Sequence, residues 1–345
     1  MNSRINDLPQ TVGVIYSHVK PEYFPTKAQY VTEKDALRDA KIVAKYLEKM
    51  DIKPLLYPGT PNLAQRLRKD KPNMVLNLIG SIKGSEYLAA AIPGVLELLE
   101  IPYTGSDILG LSLDFNKFLV KKLLEQNGIP VPRYQLFITS TDLIDPTLRY
   151  PLLAKLNEIH GGVEITKDAI SENEKHLRQR LKFLIDTYKQ PVIVEEFIVG
   201  REIECFLFEG LNKKVYLSEI VFTKMGGKYK FAVFEQQWQE HHERIIRYQK
   251  YEDTLLKEYV KRAFDVMRMS DYGKFDVRLD NSGRYFFIDS NSNPYFGPKE
   301  IQAPMALTLD LYGVSFADVL KRLILNTMRG AHGKKLMAFA SNGET

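Results

Sequence analysis

Apolar and polar positions along this 345-residue chain change their spacing from segment to segment. In the first 113 residues, short apolar runs alternate with helical patterns. TVGVIYS (11–17), KPLLYP (53–58) and NMVLNLI (73–79) predict strands. Apolar residues at 37, 40, 43, 44 and 47 make the 33–50 segment helical by period, and 61–69 predicts a shorter helix. Strands separated by helices predict a parallel, doubly wound sheet. A helical stretch over 86–99 and the sequence IPYTGS close this lobe.

From Asp114, FNKFLVKKLLEQ predicts a helix that runs to Gly128 and is stopped by IPVP. YQLFI, PLLAKLN, the turn-forming HGG at 160–162 and a polar helix over 171–188 describe a small α+β lobe at 114–189. A third lobe, 190–330, holds the extended runs PVIVEEFI, REIECFLFEG and KKVYLSEIVF. A Gly-Gly turn, a helix over 251–269, a hairpin at 272–291 and a final helix from Ser315 to Met328 complete it. Ser315 is placed to cap that last helix. Residues 331–345 read as a polar tail.

Composition narrows the class. Hydrophobic content of 44% and charged content of 26% are those of a globular protein, and no apolar stretch approaches the length of a membrane span. A net charge of +5, spread over 48 basic and 43 acidic residues, argues against a nucleic-acid partner. The basic patches RLRKDK (66–71) and KKLL (121–124) read as solvated helix faces. The N-terminus lacks a secretory core and Cys205 is the only cysteine, so a cytoplasmic location is expected. Cys205 itself reads as a core residue of an apolar strand.

The candidate chemistry starts at the hairpin. YGKFDVRLD and RYFFIDSN alternate with period two around NSG. With an even-numbered connection, Asn281 faces Arg284 and Asp276 lies opposite Asp289, with Asn291 on the same face. Two facing carboxylates need a counter-ion, and an all-oxygen set including Asn291 suits magnesium rather than zinc. Solvated aspartates on an exposed sheet would read the same way, and a three-residue loop would send the carboxylates to opposite faces.

Further residues decide between these. The passage GVLELLEIPYTGS followed by LDFNKFLVKKLLEQNGIPVP resembles the D-alanine:D-alanine ligase branch of the ATP-grasp enzymes. So do PLLAKLNEIHGGVEI, VIVEEFIVGREI and YGKFDVRLDNSGRYFFIDSNSNP. The likeness runs over residues 70 to 330 in the expected order and is weaker before them. It implies an α/β protein of three lobes, with an N-terminal doubly wound sheet, a small central lobe and a mainly antiparallel C-terminal sheet.

The resemblance also implies roles. Lys117 and Lys155 match the lysines that contact ATP phosphates, which agrees with the need for fixed positive charge around a transferring phosphoryl group. Gly161 and Gly162 match the loop that closes over the phosphates. Glu195, Glu196, Phe197 and Ile198 match the segment that holds adenine, and Glu202 the acid that binds ribose. Asp276, Asp289 and Asn291 match the metal ligands, with Asp289 in place of a glutamate. Two magnesium ions, or manganese, are implied. Lys274 stands where the family has an arginine at the tetrahedral intermediate, keeping the charge without the bidentate fork. The implied reaction joins a carboxylate to an amine through an acyl phosphate. A homodimer is implied by the resemblance alone.

The sequence departs from the family at the substrate end. After the first strand, YSHVKPEYFPTKAQYVTEKD lacks the glycine-rich pattern with its glutamate, leaving Glu33 or Asp35 as substitutes. Glycine near Gly161 replaces a loop serine. YFGPKEI places Glu300 where a serine would hold the acceptor's carboxylate, so D-alanine is expected to be a poor acceptor. The 224–244 segment offers Lys228, Lys230, Trp238, His241 and His242 as substrate contacts. An amide-forming ligase is the preferred reading. D-alanine:D-alanine ligase itself, an ATP-grasp phosphotransferase and a non-catalytic nucleotide binder are the alternatives.

Overall fold

The computed structural model describes residues 8–222, 228–234, 238 and 246–331. Its N-terminal sheet is parallel, with β1 (Thr11–Tyr16) between β2 (Lys53–Pro58) and β3 (Met74–Leu78). Helices α1 (Lys27–Glu33), α2 (Ala36–Glu48), α3 (Leu63–Asp70) and α4 (Ala91–Leu98) accompany it. The strands lie where the apolar runs predict them. The predicted 33–50 helix is α2; α1, capped by Thr26, is a further short helix before it that the pattern did not announce.

A second helix pair bridges the lobes. α5 (Ile108–Asp114) is capped by Asp107, and α6 (Lys117–Gln126) by Asn116, whose side chain accepts from Leu119 N at 3.1 Å. The single helix expected from Asp114 therefore begins at Lys117, preceded by a short helix that the pattern did not announce. Val120 and Leu124 of α6 pack in the core of the C-terminal sheet.

The central sheet is antiparallel, in the order β4 (Tyr134–Phe137), β7 (Val192–Glu196), β5 (Leu152–Leu156), β6 (Ile170–Ser171), with α7 (Glu174–Tyr188) against it. PVIVEEFI, expected to open the C-terminal lobe, is thus an inner strand of the central sheet.

The C-terminal sheet is antiparallel, ordered β10 (Ile246–Tyr251), β9 (Lys214–Phe222), β8 (Gly200–Phe208), β11 (Tyr272–Asp280), β12 (Tyr285–Asn291). One face carries Ile203, Cys205 and Leu207 against α8 (Thr254–Val266). The predicted helix start at 251 falls in β10; α8 begins after Asp253, which caps Leu256 N at 2.6 Å. Two further helices follow, α9 (Pro304–Asp310) and α10 (Phe316–Ala331). Ser315 does cap α10, accepting from Asp318 N at 3.1 Å. Phe316, Leu320 and Ile324 join Val12 and Leu76 of the first sheet to Phe206 and Tyr216 of the third, fixing the two lobes around one core. The Gly-Gly turn, His241, His242 and most of the polar tail lie outside the described residues.

Candidate active site

A cavity of about 620 Å³ opens where the three sheets meet. Its C-terminal wall is the face of the five-stranded sheet opposite Cys205. Asp276 pairs with Asp289 on β12 and with Glu204 on β8, so three carboxylates lie abreast on neighbouring strands. The hairpin that makes this row differs from the one expected. Asp280 N donates to Arg284 O at 2.9 Å, leaving Asn281, Ser282 and Gly283 as a three-residue turn, with Gly283 at φ +83°. Such a loop would put Asp289 on the wrong face. The ladder slips between Asp276 and Val277, Ile288 is left without a partner, and this bulge restores the facing pair.

Burial acts on the two aspartates in opposite company. Burial pushes Asp276 up to about 7, with Glu204 and Asp289 adding to the effect against Lys274. Asp289, half-buried like Asp276, is held down at about 2 against desolvation by Lys117, His160, Lys155 and Lys121. Lys274 Nζ lies 2.9 Å from an oxygen of Asp276 and 2.9 Å from Glu204 Oε1, so its ammonium is shared by two carboxylates. Asp114, at the end of α5, locks β12 from behind. It accepts from Ser290 Oγ at 2.7 Å and from Ser292 N at 2.7 Å.

Three lysines, not two, converge beside this row. The start of α6 is tied to the end of β5, since Lys117 N donates to Asn157 O at 3.0 Å and Phe118 N to Asn157 Oδ1 at 2.9 Å. That tie aims Lys117 Nζ at Ile159 O, 3.0 Å, with Asp289 Oδ1 at 3.7 Å. Lys155, in the middle of β5, pairs with Glu195 and donates to the bulge carbonyl of Ile288 at 3.0 Å. Lys121 pairs with the other oxygen of Glu195 at 2.8 Å and donates to Phe287 O, 2.8 Å, and Ile288 O, 3.1 Å. Burial lowers Lys121 to about 8, whereas for Lys155 the same burial is outweighed by Glu195 and Asp289. The reading of KKLL as a solvated face is therefore wrong for Lys121, which is 3% exposed. Its spacing of four from Lys117, beside the apolar Val120 and Leu124, was the available signal.

Glu195, Glu196, Phe197, Ile198 and Glu202 all line the cavity. Arg278 ties this segment down. It donates to Ile198 O at 3.0 Å, Gly200 O at 3.0 Å and Glu202 Oε2 at 2.9 Å, and its guanidinium lies 5.0 Å from the Phe197 ring. Glu196 accepts from Arg149 N at 2.9 Å. On the opposite wall, Gly161 and Gly162 take φ of +72° and +65°. A Cβ on Gly161 would come within 3.0 Å of Thr32, so the loop both turns and packs as only glycine allows. Trp238 Nε1 donates to Gly161 O at 2.8 Å, and Glu86 accepts from His160 N at 3.0 Å.

At the end expected to take substrate, Glu33 is half-buried, lines the cavity and accepts from Ser81 Oγ at 2.8 Å. Asp35 lines it too and pairs with Arg38 at 3.2 Å. Three of the expected contacts are not brought here. Lys228 is exposed and pairs with Glu172 at 2.7 Å. Lys230 is absent from the lining, and its carbonyl accepts from Arg278. Glu300 lies outside the cavity, its carboxylate accepting from Tyr46 OH at 2.6 Å. The 3-10 turn Lys299–Ile301 points Ile301 inward and leaves Glu300 outward, so its repulsion of an acceptor carboxylate falls away.

Comparison with known proteins agrees with this architecture. Residues 123–325 match the model of the family described as D-ala D-ala ligase C-terminus. The chain belongs to this family, and with it to the ATP-grasp ligases that form carbon–nitrogen bonds. An uncharacterized protein, y4sG, of Sinorhizobium fredii is 28% identical over 305 residues, covering 83% of this chain and 86% of that protein. The D-alanine--D-alanine ligase of Aquifex aeolicus is 24% identical over 269 residues, covering 75% and 85%. Among solved structures, D-alanine--D-alanine ligase from Bacillus anthracis complexed with ATP superposes with a TM-score of 0.71 at 18% identity, over 94% of this chain and 99% of that one. VanG D-Ala:D-Ser ligase from Enterococcus faecalis gives 0.65 at 18% identity, over 94% and 99%.

Proposed function

We propose that this ligase uses ATP to join a carboxylate to an amine other than D-alanine, through an acyl phosphate. The observation that carries the reading is the meeting of Lys117 and Lys155 with the Asp276–Asp289 pair at one end of a single cavity. Phosphoryl transfer needs fixed cations on one side and a metal on the other, and little else from the protein.

ATP is placed with its adenine along Glu195–Ile198, its ribose at Glu202 and its phosphates between the lysines and the Gly161–Gly162 turn. Glycine backbone there offers N–H donors at close range. The metal residues fit a hard dication: Asp276, Asp289 and Asn291 offer oxygen ligands, and the carboxylates line the cavity in facing positions. Asn291, which also lines the cavity, adds an amide oxygen to the two carboxylates. Magnesium, two ions by family likeness, would supply charge neutralisation for the phosphates; manganese has the same ligand preference.

The side chains then divide the work. Lys117 and Lys155 hold the transferring phosphoryl group, and Glu33 faces the donor end. Lys274 is placed to stabilise charge on the tetrahedral intermediate. Because Asp276 and Glu204 already share its ammonium, it is a weak partner for an acceptor carboxylate. D-alanine, which carries a carboxylate beside its amine, is disfavoured for that reason rather than for Glu300.

Mass spectrometry of products from ATP, magnesium and a mixed pool of carboxylic acids and amines tests the reading. Amide, ADP and inorganic phosphate are expected together. A phosphorylated product without amide would instead make the protein a phosphotransferase, and efficient D-alanyl-D-alanine synthesis would overturn the acceptor assignment.

A further inference from the structure

The third carboxylate of the row has no role in the site described above. Metal chemistry uses Asp276 and Asp289, yet Glu204 stands beside them at the same level of the sheet. Glu204 is 3% exposed and lines the cavity. Lys274 satisfies Oε1 at 2.9 Å; Oε2 is buried with no hydrogen-bond partner among the described residues. A buried carboxylate oxygen left unpartnered costs free energy unless something supplies a donor.

The surroundings indicate which donor. Phe206 and Tyr248 line the cavity next to Glu204, and the Lys274 ammonium already lies 6.0 Å from the Phe206 ring. Aromatic faces and a carboxylate together accommodate an ammonium group well. The cavity as a whole is lined by eleven acidic and six basic side chains. Lys117 and Lys155 are committed to the phosphate end, and Lys274 is split between two acids. Acidic side chains thus outnumber basic ones across the cavity, and beside Glu204 one ammonium serves two carboxylates.

Resting on the ligase reading, we propose that Glu204 is the specificity-determining residue for the acceptor, and that the acceptor is an amine carrying a second cationic group. The nucleophilic amine, unprotonated, forms its C–N bond at the acyl phosphate carbon as inorganic phosphate leaves, while the second ammonium pairs with Glu204 Oε2 between Phe206 and Tyr248. Neutral amines leave that oxygen unpaired, and α-amino acids without a basic side chain bring a carboxylate to a wall that repels it.

Isothermal titration of the full chain, held with magnesium and a non-hydrolysable ATP analogue, tests this without knowledge of the donor. The probes are 1,4-diaminobutane and n-butylamine. The diamine should bind at least about tenfold tighter. In Glu204→Gln the ratio should fall to about twofold or less, with affinity for the ATP analogue unchanged. Glu204→Met provides a second variant should the first fail to bind the analogue. Equal binding of both amines by the natural protein, or an undiminished preference in a variant that still binds the analogue, would overturn the proposal. The ligase reading fails separately: a phosphorylated product without amide sinks it, whereas amide formed on neutral amines without diamine preference sinks only the Glu204 assignment.

Discussion

Asp276 and Asp289 face each other across the hairpin because Ile288 is an extra residue in β12. The three-residue turn alone would send Asp289 and Asn291 to the face that packs on α8. A one-residue slip inverts every side chain beyond it. Deleting Ile288 should therefore abolish ADP release as fully as Asp289→Ala, by at least about 100-fold, since both remove a proposed metal ligand. Ile288→Ala keeps the residue count and should retain most turnover. A coupled ADP assay compares the three, and activity in the deletion would show that the bulge does not set the site. Chelation of magnesium should give the same loss, reversed by adding it back.

Lys121 is a structural cation and not a surface residue. Lys121→Met should destabilise the fold by about 3 kcal/mol, because it leaves half of a buried carboxylate pair uncompensated. Combining it with Glu195→Gln should recover part of that loss, which urea unfolding of the four variants would measure as non-additivity.

Asp271 predicts a pH dependence away from the Asp276–Asp289 pair. It is half-buried, its carboxyl accepts from Gly105 N at 2.9 Å, and desolvation, with Glu209 adding, pushes it up to about 7. Between its ordinary value of 3.8 and about 7, the folded protein holds a proton that the unfolded chain has lost. Stability from this group is thus fully present below 3.8 and is lost as pH rises through about 7. Asp271→Asn keeps an acceptor for Gly105 and tolerates the positive φ of 63° at this position. Melting temperatures from pH 5 to pH 9 should fall less steeply in this variant.

Trp238 is the only tryptophan, and its indole donates to Gly161 O in the loop proposed to close over the phosphates. Binding of ATP with magnesium should change its fluorescence, whereas ATP added with a chelator should change it less. An emission spectrum indifferent to ATP would separate Trp238 from the loop's function.

How much of this was legible depended on whether a residue's role was local. Strands such as Lys53–Pro58 follow from period alone, because each buries its own apolar run. The facing aspartates were inferred from an even-numbered turn, and that step was incorrect: a longer turn and a bulge offset one another, and nothing in NSG or FFID marks a bulge. Lys121 was misread because a lysine pair on a helix is usually solvated; its partner Glu195 is 74 residues away in sequence.

The same limit explains Glu204 and Glu300. REIECF alternates, so Glu202 and Glu204 share a face opposite Ile203 and Cys205, and that much was available from the sequence. Which face borders the cavity depends on β11 and β10, paired from far along the chain. Glu300 was assigned by position beside a conspicuous motif, but a 3-10 turn of three residues rotates it outward to Tyr46 on α2.

The central claim is that a carboxylate attacks the γ-phosphate before an amine displaces it, and oxygen tracing tests that order directly. A pool of carboxylic acids labelled with ¹⁸O in both carboxyl oxygens is incubated with the protein, ATP, magnesium and amines. The account predicts one ¹⁸O in the released inorganic phosphate and one in the amide. Unlabelled inorganic phosphate formed alongside amide, or label retained in a phosphorylated product, would contradict it.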